Sequence, residues 1–122
     1  MNHNSAFLKL VDDAKTRIKE ISAEEVMANI HKSLPFLLID TREESEFAAG
    51  RITGAVHLSK GIIECYIESK VPDKATPMVL YCGGGYRSAL AADSLQKMGY
   101  TNVLSMAGGW RGWNERGFPT SN

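Results

Sequence analysis

Two short stretches of the chain, Phe36-Leu-Leu-Ile39 and Met78-Val-Leu-Tyr81, are apolar without alternation. A strand with one face in water alternates, whereas a strand covered on both faces does not, so these two read as buried strands of a parallel sheet. Ala55–Leu58 and Asn102–Ser105 read as two further short strands. Between and around them the spacing turns helical. Phe7, Leu8, Val11, Ala14 and Ile18 predict a helix over roughly Ala6 to Lys19, capped by Ser5 and with its apolar stripe inward. Ser22-Ala-Glu-Glu25 is a capping box, which starts a helix reaching about Asn29. Glu43–Ala49 is a short helix stopped by Gly50, Gly61–Ile67 another, and Val71-Pro-Asp-Lys a loop. Arg87–Met98 has helical spacing through Leu90, Ala91 and Leu95 and stops at Gly99; Gly109–Arg116 is the last short helix.

Strand and helix thus alternate along the chain, which predicts an α/β fold with a mainly parallel sheet and right-handed crossovers. The first twenty residues precede this pattern and read as an N-terminal helical extension (1–20) packed on the sheet of the domain that follows (21–122). Ligands of open α/β sheets bind beyond the carboxyl ends of the strands. Asp40 and Cys82 both fall at such ends.

Composition narrows the function classes. With 122 residues the chain makes one domain able to bury a core without disulfides or metal. Its 14 basic and 14 acidic residues leave no basic excess of the kind that marks a nucleic-acid partner. No run approaches the roughly 20 apolar residues of a membrane span. The N-terminus has none of the features of a secretory signal, so a cytoplasmic location is expected. Two cysteines do not make a disulfide scaffold; one reads as reactive and Cys65 as packed on its helix beside Ile62, Ile63 and Ile67. His3, His31 and His57 are scattered, so no metal and no other cofactor is expected.

The chemistry lies in Val79-Leu-Tyr-Cys-Gly-Gly-Gly-Tyr-Arg-Ser88. A buried strand delivers Cys82 to the sheet edge. Gly83, Gly84 and Gly85 let the backbone curl so that successive N–H groups form an anion-binding nest. The following helix adds its positive end, Arg87 a full charge, and Ser88 a hydroxyl in reach of the sulfur. All of these favour a negatively charged sulfur, the nucleophilic form of a cysteine. Tyr86 reads as a wall of the pocket. Four residues separate Cys82 from Arg87, one fewer than in the phosphate-holding loop of cysteine phosphatases, and Tyr81 stands where those enzymes have histidine.

Cys82-x-x-x-x-Arg87-Ser88 resembles the active-site loop of the rhodanese family. Asp40-Thr-Arg-Glu43, Glu46-Phe47, Gly50-Arg-Ile-Thr-Gly-Ala55 and Gly61-Ile-Ile-Glu64 resemble segments of the same family. So do Gly99-Tyr-x-Asn-Val103 and Gly108-Gly-Trp110 with Trp113 and Gly117-Phe-Pro119. The likeness runs from Ile21 to Pro119 in family order. It implies a five-stranded parallel sheet with helices on both faces. It also implies a sulfurtransferase in which Cys82 takes a sulfane sulfur from a small donor such as thiosulfate. The resulting persulfide passes it to cyanide, glutathione or a protein thiol. A binding module or a redox sensor without turnover is the alternative, as is a phosphatase or arsenate reductase, which the loop length disfavours.

Beside the loop, Asp40 reads as a fixer of backbone N–H groups. Arg42 pairs with it or with Glu46 and adds positive potential. Trp110 and Trp113 read as packing anchors with one bordering the cleft, and His57 as a structural residue without an evident partner. Position 83 departs from many thiosulfate-using members, which carry Arg or Lys there; Gly83 leaves Arg87 as the loop's one formal positive charge. Thiosulfate is therefore expected to bind weakly. Gly83→Lys or Gly83→Arg should lower the KM for thiosulfate in a steady-state assay, and an unchanged KM contradicts the reading.

Overall fold

A computed structural model describes residues 3–122. Five parallel strands form the main sheet: β1 (Lys19–Ile21), β2 (Leu37–Asp40), β4 (Val56–His57), β5 (Met78–Tyr81) and β6 (Val103–Met106). Their order is β1-β6-β5-β2-β4, which puts β5 in the middle. Two further segments, β3 (Arg51–Ile52) and β7 (Thr120–Ser121), pair antiparallel.

The absence of alternation in β5 has a direct cause: all four residues are buried, with Met78 and Leu80 in one core and Val79 and Tyr81 in the other. Leu80 packs with α4 (Ile63–Lys70) and α5 (Tyr86–Lys97) through Ile63, Ile67, Ala92 and Leu95. Tyr81 packs on the opposite face with α2 (Ala23–His31) and α6 (Gly109–Glu115) through Val26 and Trp113. The short α3 (Glu44–Ala49) follows β2. Ser22 caps α2 as the sequence predicts, with Glu25 N–H donating to Ser22 Oγ at 3.1 Å, but the reciprocal half of the box is not made: the Glu25 carboxylate accepts from the Ser22 hydroxyl rather than from its backbone N–H.

The N-terminal helix α1 (Ser5–Lys15) differs from its prediction. It ends four residues early, and residues 19–21 instead form edge strand β1 against Leu104–Met106. Pairing with an open sheet edge outweighs the weak helical spacing that carried the prediction as far as Ile18. Asn4, not Ser5, precedes the helix, and it makes no side-chain cap. The main neighbour of α1 is α5 rather than a sheet face. Val11 and Ala14 are buried there, and the Arg17 guanidinium grips Asp93 of α5 at 2.9 and 2.8 Å. Residues 1 and 2 of the predicted extension lie outside the described residues.

Cys65 is exposed, contrary to its reading as a packed residue. Ile63 and Ile67 form the inward stripe of α4, and a residue two positions from each lies on the outer side. Among the described residues no helix is long and apolar enough to cross a membrane.

Arg17, and after it Lys97, holds the Asp93 carboxyl below its ordinary range against the opposing effect of burial. A depressed carboxyl contributes stability above the unfolded-state pKa and loses it as pH falls through the folded value. Asp93→Asn should therefore cost about 1–2 kcal/mol at neutral pH. The gap between variant and wild type should close in urea melts under acid conditions. A gap independent of pH contradicts the assignment.

Candidate active site

The site begins with the end of β5, the central strand, where the chain leaves the sheet at Cys82. Two loop carbonyls are bound by the start of α6: Trp110 N–H donates to Cys82 O at 2.7 Å and Arg111 N–H to Gly83 O at 3.0 Å. This approach requires glycine at 109, where φ is +53° and a Cβ would collide with the Cys82 carbonyl. With its carbonyls tied down, the loop turns through Gly85 at φ +100°, and Gly85 N–H donates to Cys82 Sγ at 3.1 Å. The first turn of α5 follows at once, and its leading N–H groups have no intrahelical acceptors. Of the N–H groups expected to form a nest, that of Gly85 meets the sulfur.

Cys82 is 1% exposed and lies at the bottom of a cavity rather than on a surface. Ser88 lies behind it: the thiol contacts Ser88 Oγ at 3.6 Å, and Ser88 Oγ shares a 2.8 Å hydrogen bond with Ser105 Oγ. Gly85 and Ser88 support the sulfur from within. Gly83, Gly84, Tyr86 and Arg87 line the cavity with it.

Arg87 does not stand alone. Its guanidinium binds Glu46 of α3 in bidentate fashion at 2.8 and 3.3 Å. Arg87, acting above all through that bond, holds the Glu46 carboxyl below its ordinary range against burial, with Glu43 N–H assisting. The loop's one cation is therefore largely neutralised.

Asp40 and Arg42 form a buried pair, 0% and 4% exposed, and neither lines the cavity. Asp40 accepts from Arg42 N–H at 2.9 Å, the backbone role expected of it, and from the guanidinium at 2.8–3.1 Å. Arg42 also donates to Gly50 O at 2.6 Å, and its guanidinium stacks 4.6 Å from the Trp110 ring. Burial opposes the charge on Arg42, and Asp40 more than offsets it, so the guanidinium is held firmly protonated. Arg42 is paired with Asp40, leaving Glu46 for Arg87. His57 has a partner after all: Nε2 lies 2.7 Å from Arg42 O, with the ring stacked on Phe47. Arg42 backs Trp110, which borders the cavity, while Trp113 is buried.

Three features were missed in the sequence. Glu46 as the partner of Arg87 had a signal in the Glu46-Phe47 segment. His3 and Phe7 of the N-terminal segment form a cavity wall against Tyr86, and Arg111 reaches the cavity from α6. Neither of these shows in a pattern of apolar spacing. The cavity encloses about 780 Å³.

A sequence profile of the Rhodanese-like domain matches residues 22–116. A protein named Sulfurtransferase from Allochromatium vinosum is 33% identical over 102 residues, covering 84% of this chain and 94% of the relative. Thiosulfate sulfurtransferase GlpE of Pseudomonas entomophila is 34% identical, covering 80% and 86%. Among solved structures, a Rhodopseudomonas palustris protein of unknown function, described as a possible tyrosine phosphatase, superposes with a TM-score of 0.84. It shares 28% identity and covers 99% of this chain and 98% of its own. A thiosulfate sulfurtransferase from Pseudomonas aeruginosa shares the fold at a TM-score of 0.83 and 22% identity, over 95% of this chain and 22% of its own.

Breaking the buried pair leaves an uncompensated charge. Asp40→Ala should lower stability by about 3–5 kcal/mol in denaturant melts. A loss under about 1 kcal/mol means that the pair does not hold this part of the fold.

Proposed function

From the premise that the chain belongs to the rhodanese-like domain family, we propose that it is a sulfurtransferase working through a Cys82 persulfide. The observation that carries this reading is the Gly85 N–H at 3.1 Å from Cys82 Sγ, in a loop that opens on the cavity.

In the first half-reaction the Cys82 thiolate attacks the outer sulfur of the donor. With thiosulfate, a new S–S bond forms on Cys82. The donor's own S–S bond breaks, and its electron pair leaves on sulfite. The persulfide's terminal sulfur then carries the negative charge, and the nest and the start of α5 are the groups that stabilise it. In the second half-reaction an acceptor nucleophile (cyanide, glutathione or a protein thiol) attacks that terminal sulfur and returns the thiolate. Asp40 and Arg42 take no part in these steps; they are positioning residues that hold Trp110. No cofactor enters. A reducing cytoplasm, the location this reading favours, supplies both thiol acceptors and the free Cys82 that the cycle requires.

A phosphatase reading, suggested by the description of the Rhodopseudomonas relative, meets two obstacles. The loop is a residue shorter than a phosphocysteine loop, and Arg87 is bound to Glu46 rather than free to grip a phosphate.

Intact-protein mass after incubation with thiosulfate tests the proposal. Wild type should gain one sulfur, removable by reductant, and Cys82→Ser should gain none. No gain from thiosulfate or other sulfane donors favours a binding or redox-sensing role instead. Glu46→Gln should free the Arg87 charge and lower the KM for thiosulfate about fivefold, the size of one exposed to half-buried ion pair. An unchanged KM means that Glu46 does not restrain Arg87 towards the donor.

A further inference from the structure

We propose that Ser105 is a positioning residue of the sulfur chemistry. Through Ser88 it holds a hydroxyl donor on Cys82 Sγ, the atom that attacks the donor and later leaves from the persulfide. This rests on the sulfurtransferase reading and adds a residue to it.

Strand β6 is apolar apart from Ser105. Ser105 and Ser88 of α5 are both 0% exposed. An alanine would fill nearly the same space at either position, and a buried hydroxyl costs stability unless it is hydrogen-bonded. Here the two hydroxyls bond each other at 2.8 Å, and Ser88 Oγ touches Cys82 Sγ at 3.6 Å. Among the described residues neither hydroxyl has any other hydrogen-bond partner. Neither serine lines the cavity, so neither meets the donor.

The number of protons decides which way this chain of hydroxyls runs. The thiolate leaves two hydroxyl protons for two contacts, and both are used when Ser105 donates to Ser88 and Ser88 donates to the sulfur. The thiol brings a third proton to the same two contacts. One proton then has no acceptor within the chain, and an unmade hydrogen bond in a buried place is costly. The chain therefore supports the thiolate, the attacking form. The persulfide has no proton on Sγ either, so the chain already points at Sγ when the acceptor arrives. The acceptor nucleophile bonds to the outer sulfur, the S–S bond breaks, and its electron pair stays on Sγ, where the Ser88 hydroxyl meets the growing charge. A hydroxyl that accepts one hydrogen bond donates the next more strongly. Without Ser105 the Ser88 hydroxyl is free to turn to the carbonyl four residues back, as serines in helices do.

Alkylation of Cys82 by iodoacetamide reads the reactivity of the sulfur without sulfur transfer, in a Cys65→Ser background that removes the exposed thiol. At neutral pH Ser88→Ala should slow it about tenfold and Ser105→Ala about fivefold. The double variant should be about tenfold slower, like Ser88→Ala alone, because Ser105 acts through Ser88. The same pattern should hold for release of thiocyanate from the preformed persulfide by cyanide, where Sγ is the leaving atom. Thiosulfate binding to the Cys82→Ser protein, read by calorimetry, should be unchanged by Ser105→Ala, whereas a displaced loop would alter it. A Ser105→Ala rate within about twofold of wild type, a double variant slowed by the product of the two singles (about fiftyfold), or altered thiosulfate binding each overturns the proposal. Failure of wild type to form a persulfide, with the alkylation pattern intact, overturns the sulfur-transfer reading and leaves the positioning role standing.

Discussion

Two hydrogen bonds govern the site. Trp110 N–H reaches the Cys82 carbonyl at 2.7 Å and Arg111 N–H reaches that of Gly83 at 3.0 Å, so the start of α6 is locked to the exit of β5. A backbone whose carbonyls are bound on one side can turn its N–H groups to the other, and Gly85 N–H accordingly meets the sulfur. The lock depends on contact between two backbones with no side chain between them. That is why Gly109 stands where any Cβ would strike the Cys82 carbonyl. Sequence, local geometry and chemistry are linked at this one contact.

Around it, charge is handled in two ways. The buried Asp40–Arg42 pair is satisfied on every side, by Gly50 O and by the Trp110 face as well as by Asp40 itself. Among the described residues no buried side-chain polar atom lacks a partner. A pair so enclosed fixes geometry rather than binding ligand, and what it fixes is the tryptophan at the cavity edge. Glu46–Arg87 is a third exposed on each partner and lies at the cavity rim, where Glu46 offsets the Arg87 charge.

The unbroken apolar runs announced β2 and β5 because both faces of those strands are covered, and β5 was read to the residue. The geometry of 82–88 was legible because strand, cysteine, glycines and helix are consecutive. What escaped was set by contacts distant in sequence. Residues 19–21 join the sheet through Leu104–Met106, and no local signal distinguishes them from the tail of a helix. The pairing of Arg87 with Glu46 spans 41 positions, and Phe7 meets Tyr86 only because α1 packs on α5. Cys65 was misread because apolar neighbours in sequence are not neighbours on a helix surface.

A crystal structure of the protein soaked in a sulfane donor examines the central claim most directly. The account predicts a second sulfur bonded to Cys82 Sγ, within hydrogen-bonding distance of the loop N–H groups, with Trp110 N–H still on the Cys82 carbonyl. A persulfide whose outer sulfur turns away from the loop, or a donor bound with Cys82 unmodified, contradicts it.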